Sequence, residues 1–167
     1  QMCIRDSLLP VLGLNTAIIS IVAQNFGAKQ FLRIKQSYFY AIFYGFTIMV
    51  IAGIIIYLSA DKIVSIFSKN TDVITYGTTY LKISALIFPA YPIYFISNGF
   101  FMAIKKSHYS MFLNIIRNIL LAIPTIYFAK FIGGTYNAFF WSYCIFNWIF
   151  MICLLIFVTF YINRYLQ

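Results

Sequence analysis

Arg117, Asn114 and Asn118 put a guanidinium and two carboxamides into a stretch that is otherwise mostly apolar. Asn114 and Asn118 are four residues apart and Arg117 follows Asn114 by three, so a helix would carry all three on one face. A charge set deep in apolar surroundings normally faces a water-filled path or a partner in the bundle, where it attracts anions, pairs with a carboxylate or latches a conformation. The competing expectation is that Arg117 snorkels to the headgroups. Tyr91, Tyr94 and Asn98 form a second set beside Pro89 and Pro92. The prolines remove backbone donors and kink a helix, while aromatic walls suit cationic or flat apolar cargo. A third set, Asn15, Thr16 and Ser20, has the chemistry to hydrogen-bond across a helix interface or to face a cavity. Together Asn15, Thr16, Tyr91, Tyr94, Asn98, Asn114, Arg117 and Asn118 are the transport-path candidates. Asp6 is the one acid inside an apolar stretch and the ion-coupling candidate, with a local pair to Arg5 as its alternative.

Other chemistries lack their residues. There is no nucleophile elbow, phosphate-binding glycine loop, dinucleotide fingerprint or metal-ligand spacing, so neither an enzyme, a cofactor nor a metal site is expected. Cys3, Cys144 and Cys153 show no CxxC or Cys/His pattern and give no disulfide framework. Net charge is +9, but the twelve Lys and Arg residues are scattered, which fits loop ends at anionic headgroups and not a nucleic-acid surface. His108, next to Lys105 and Lys106, belongs with that headgroup chemistry.

The elements that must carry these side chains are membrane helices. Hydrophobic residues make up 63% of the chain and charged ones 9%, too little polar surface for a domain in water. Apolar runs over about 5–26, 36–58, 77–104, 109–128 and 137–162 each suffice for a span of roughly 20 residues. The expected class is therefore an all-α integral membrane protein with five transmembrane helices. Ser59 to Tyr76, with Ile63, Ile66 and Phe67 at helical spacing, is expected to be a short amphipathic piece along the interface. Lys82, near the same edge, is expected to snorkel. Tyr38, Tyr57, Tyr76, Tyr80, Tyr109 and Tyr161 fall near span ends as an aromatic belt. Connections one, three and five carry Lys29, Arg33, Lys35, Lys105, Lys106 and Arg164 without an acid. The positive-inside rule puts them, and the C-terminus, in the cytoplasm of a cell inner (plasma) membrane.

Pro10-Val11-Leu12-Gly13-Leu14-Asn15, then Val22-Ala23-Gln24-Asn25-Phe26-Gly27-Ala28-Lys29 before a basic connection, resembles the multidrug and toxic compound extrusion (MATE) family, in particular its DinF/NorM-like members. The motif residues are Gln24, Asn25, Gly27 and Ala28, and Gly27-Ala28 is expected to stop the helix. The resemblance implies five helices of one six-helix lobe, the second, in a two-lobed transporter. This chain would be a fragment whose partners are the lipid bilayer, the remaining lobe of the same polypeptide and a small-molecule substrate. The implied activity is multidrug efflux of organic cations or amphipathic compounds by antiport against sodium or protons. Ala103-Ile104-Lys105-Lys106-Ser107 has neither the glycine-rich segment many members have there nor the acid it sometimes includes, and no buried acid matches the coupling acids some members carry in the second lobe. A lipid-linked oligosaccharide flippase of the same superfamily and a non-transporting membrane scaffold are the alternatives.

Overall fold

Backbone in hydrocarbon has no partner but itself, and helices satisfy it within each segment. A computed structural model describes residues 9–67, 69–131 and 136–165; Cys3, Arg5, Asp6 and the Gly133-Gly134 break lie outside the described residues. The helices are α1 (Leu9–Gly27), α2 (Phe31–Phe67), α3 (Thr71–Ile87), α4 (Tyr91–Ala103), α5 (Ser107–Phe131) and α6 (Tyr136–Tyr165). A 3-10 turn, Phe88–Ala90, joins α3 to α4 into one bent span. Among the described residues, five helical units are long and apolar enough to cross a membrane.

The bend follows from Pro89 and Pro92, each of which stands at the start of the element it opens, where its missing N–H costs little. α2 accommodates the bent span with glycine. A Cβ on Gly45 would lie 2.9 Å from the Pro92 ring, and one on Gly53 would lie 2.9 Å from the Ala85 carbonyl oxygen. Buried Met49 fills the turn between them. The third span is thereby central. α1, α2, α5 and α6 all pack on α4, and α3 packs on α2 and α6. Its most apolar stretch is 72% buried, against 17–39% for the other four spans. Large apolar side chains on α2, α5 and α6 face outward, as a lipid solvent requires.

Three expectations change. Ser59–Phe67 is not a separate interfacial piece but the end of α2, because nothing in it breaks a helix and Val64 packs at Gly77 of α3. At 37 residues, α2 is about 55 Å long and its last turns project beyond a hydrocarbon core of about 30 Å. Lys82 does not simply snorkel; it reaches Asp61 at the end of α2, 3.0 Å away. Tyr38 is not a belt residue: fully buried, it bonds Ser97 of α4 at 2.9 Å. Tyr161 is also buried, packed edge-on against Phe101.

The turn after α1 is a Schellman motif, with Gln30 N–H bonded to the Asn25 carbonyl and Lys29 N–H to the Phe26 carbonyl. Its left-handed residue is Lys29 (φ 57°) and not Gly27, where a Cβ would meet nothing within 4 Å. Gly27 is therefore not the steric stop expected of it. The turn after α4 repeats the motif with Lys105 (φ 61°), through Lys106 N–H to Phe101 and Lys105 N–H to Met102. The first, third and fifth connections meet at one end of the bundle. There Lys35 donates to Asn163 at 2.8 Å, and Lys106 lies 5.2 Å from the Tyr161 ring.

Candidate functional site

A three-residue turn returns α5 alongside α4, and the polar residues of both helices meet there. Asn98 of α4 is buried; its Nδ2 donates to the Tyr94 carbonyl at 2.9 Å. Its Oδ1 accepts from Ser110 Oγ at 2.5 Å and from Asn114 Nδ2 at 3.3 Å. The Tyr94 hydroxyl donates to Asn114 Oδ1, and Asn114 Nδ2 also reaches the Ser110 carbonyl at 2.8 Å. Both ends of Asn114 and both ends of Asn98 are thus fixed.

This cluster holds the Tyr94 ring beneath Arg117. The guanidinium carbon lies 4.1 Å from the Tyr94 centroid and 5.5 Å from that of Tyr91, a cation–π stack on two rings. Ten residues beyond the start of α5, Arg117 is about 15 Å into a span whose hydrocarbon half-thickness is about 15 Å. The side chain is half-buried and lies over the rings of α4.

Arg117 lines a cavity of about 400 Å³ with Asn118, Thr125, Phe139 and Tyr143 among its walls. A second space of about 240 Å³ shares Phe139 and Tyr143 and is walled by Tyr80, Phe88 and Tyr91. Neither has a carboxylate in its lining among the described residues. No group of three His, Cys, Asp or Glu residues among the described residues is placed to hold a metal ion.

Of the residues singled out in the sequence, Tyr91, Tyr94, Asn98, Asn114, Arg117 and Asn118 come together here, with Asn118 exposed at the cavity and tied to the Asn114 carbonyl at 3.0 Å. Asn15 and Thr16 do not. Asn15 lies in the α1–α4 interface, where a Cβ on Gly99 would overlap its Oδ1, and that oxygen has no hydrogen-bond partner. Thr16 is exposed and bonds the Gly13 carbonyl at 2.8 Å. Gln24 and Asn25 bond within α1, to Ser20 at 3.4 Å and to the Ile21 carbonyl at 2.7 Å. The Gln24–Ala28 motif is a helix ending, remote from the cavity.

Ser110, Thr125, Tyr143 and Asn147 were missed. Ser110 was findable, since Ser110, Asn114 and Asn118 repeat every four residues. Asn147, wholly buried with neither side-chain polar atom bonded, stands one turn beyond Tyr143 on the same face of α6. Its only signal was a lone carboxamide in an apolar run.

These observations define the class first: an all-α, multi-pass membrane lobe with a polar cluster built into its central helix pair. The MatE family profile matches residues 7–128, well over half of the sequence, and the chain belongs to that family. The family is one of transporters rather than enzymes. A crystal structure of a MATE protein in complex with MaL6 has a TM-score of 0.87 at 18% identity, over 94% of this chain and 36% of that one. An outward-facing conformation of a multidrug resistance MATE family transporter of the MOP superfamily gives 0.85 at 20% identity, over 96% and 36%. An inward-facing conformation gives 0.83 at 20%, over 94% and 37%. The five spans match a six-helix lobe of a two-lobed MATE-type transporter. The chain spans little more than a third of the length of these structures. No curated protein matches its sequence significantly.

Proposed function

We propose that this chain is most of one lobe, the second, of a DinF/NorM-like efflux antiporter that moves amphipathic organic compounds out of the cell. The observation that carries the reading is the fixed Asn98–Asn114–Tyr94 cluster holding Arg117 at mid-span beside a cavity. Placing so many polar groups in a membrane span is unfavourable unless they are satisfied or meet water, and a scaffold has no use for them. Tyr91, Tyr94, Asn98, Asn114, Arg117 and Asn118 form the wall of the cargo path. Asn15 serves the α1–α4 packing instead, and Thr16 is spent on its own helix.

Near-equal matches to an outward-facing and an inward-facing structure favour a lobe that moves as a rigid body, the arrangement alternating access needs. The remaining lobe of the polypeptide would close the path from the other side. The end bearing Lys29, Lys35, Lys105, Lys106 and Arg164 faces the cytoplasm of the inner membrane by its excess of basic residues. Coupling to sodium or protons is the expectation the family supports and would fall to Asp6 or to the other lobe, since Asp61 and Asp72 stand outside both cavities. The test is the full-length protein in vesicles under a sodium or a proton gradient, with a panel of amphipathic dyes of both charges. Gradient-driven movement of some of them is expected. Failure of both gradients to move any dye would overturn the reading.

The oligosaccharide flippase alternative needs a broad cationic surface, and among the described residues Arg117 is the sole cation lining the two spaces.

A further inference from the structure

We propose that the Arg117 cavity binds the anionic group of an aromatic amphiphile, so that the cargo recognised by this lobe carries a carboxylate or phosphate instead of a positive charge. The inference rests on the efflux reading only in calling the ligand cargo; binding itself is read without transport.

Three observations carry it. First, Arg117 is a permanent charge at mid-span whose partners among the described residues include Tyr94 and Tyr91. Aromatic faces stabilise a cation without neutralising it. Of the chain's three acids, Asp61 and Asp72 lie at the α2–α3 end, and Asp61 is paired with Lys82. A cationic ligand entering this cavity would meet repulsion and no described carboxylate to offset it. Second, a guanidinium carries a planar fork of N–H donors that grips an oxyanion in bidentate fashion. Third, Thr125, one of the walls, is 1% exposed and its Oγ1 has no hydrogen-bond partner among the described residues. An unmatched buried hydroxyl is unfavourable, and it can donate to a polar group of a ligand that extends along α5 from Arg117. Asn118 adds a polar wall at the same cavity.

Shape sets the rest of the ligand. The adjoining space, walled by Tyr80, Tyr91 and Tyr143, suits a flat ring, and the combined spaces are of the size usual for small-molecule sites. The cavity thus reads as an anion socket with an aromatic slot beside it. The Asn98–Ser110–Asn114 network acts as positioning support, because it fixes Tyr94 under the guanidinium.

The test uses purified full-length protein in nanodiscs and three probes of one shape: 2-naphthoate, 2-naphthamide and 2-naphthylmethylammonium, with affinities read by calorimetry. Naphthoate is expected to bind roughly tenfold or more tighter than the amide, as a charge-assisted pair requires, with the ammonium weakest. Arg117→Gln should abolish the preference for naphthoate over the amide, and Arg117→Lys should keep part of it. Equal binding of naphthoate and naphthamide by the unaltered protein would overturn the proposal. It would mean that an acid from the other lobe, or Asp6, already neutralises Arg117. Preference for the ammonium would overturn it too. The probe series on unaltered protein decides the matter even where Arg117→Gln does not fold. Dye transport with equal naphthoate and naphthamide binding would sink this inference alone; charge-selective binding without transport would sink the efflux reading alone.

Discussion

Replacing Asn98 and Ser110 by alanine, singly and together, probes the hydrogen bond that joins α4 to α5. The Ser110 Oγ–Asn98 Oδ1 separation is 2.5 Å and each residue is 8% exposed, so neither group has water to fall back on. Side-chain hydrogen bonds between membrane helices average about 0.6 kcal/mol in double-mutant cycles and reach about 1.7. A short bond between two buried groups belongs in the upper half of that range, so the coupling energy should be about 1 kcal/mol. Ser110→Ala leaves Asn98 Oδ1 still bonded to Asn114 and should cost about 1 kcal/mol. Asn98→Ala removes the acceptor of both Ser110 and Asn114 and should cost about 2 kcal/mol. The assay is reversible unfolding of the full-length protein by SDS in mixed micelles. Strictly additive single and double mutants would refute the reasoning, since they would show that the two side chains do not share a bond.

The other predictions concern packing and backbone. Lys29→Gly and Lys105→Gly, each at a left-handed position, should stabilise the protein by roughly 0.5–1 kcal/mol in the same unfolding assay, less than the full αL penalty because glycine also loosens the unfolded chain. Gly45→Ala should destabilise by about 1–3 kcal/mol, because the Pro92 ring facing it cannot turn aside; an unchanged midpoint would show that α2 can slide. Asn147→Leu should raise stability by about 1–2 kcal/mol by removing two unmatched buried polar atoms, while vesicle transport should fall if that carboxamide serves the path beside Tyr143.

Much of the architecture was legible because hydropathy and proline act locally. Pro89 and Pro92 forecast the bend, and alternating basic connections forecast which ends meet, now joined by Lys35–Asn163. What failed was set by tertiary partners. Tyr38 resembled a belt residue until Ser97 of α4 came opposite it. Lys82 resembled a snorkelling lysine until α2 ran on far enough to bring Asp61 beside it. Gly27 resembled a helix stop, yet Lys29 holds the left-handed position, because a Schellman turn tolerates lysine where hydrogen bonds close it. Within the site, Arg117, Asn114 and Asn118 announced themselves as polar residues at helical spacing in an apolar run. Tyr91, Tyr94 and Asn98 were legible as a group, but their docking against α5 was not. Thr125 and Tyr143 gave no signal, since a threonine and a tyrosine in a membrane helix are ordinary until a cavity forms between them.

The central claim is that the face of α5 bearing Arg117 looks into a water-accessible path at mid-membrane. Its most direct test is labelling of Asn118→Cys by a membrane-impermeant thiosulfonate in the otherwise cysteine-free full-length protein. Ile116→Cys, on the opposite face of the same helix and 43% exposed to the surroundings of the bundle, is the reference. Labelling of Asn118→Cys at least about tenfold faster than Ile116→Cys is expected, because thiolate chemistry needs water. Equal, slow labelling of both would place Asn118 in lipid or sealed protein and contradict the account.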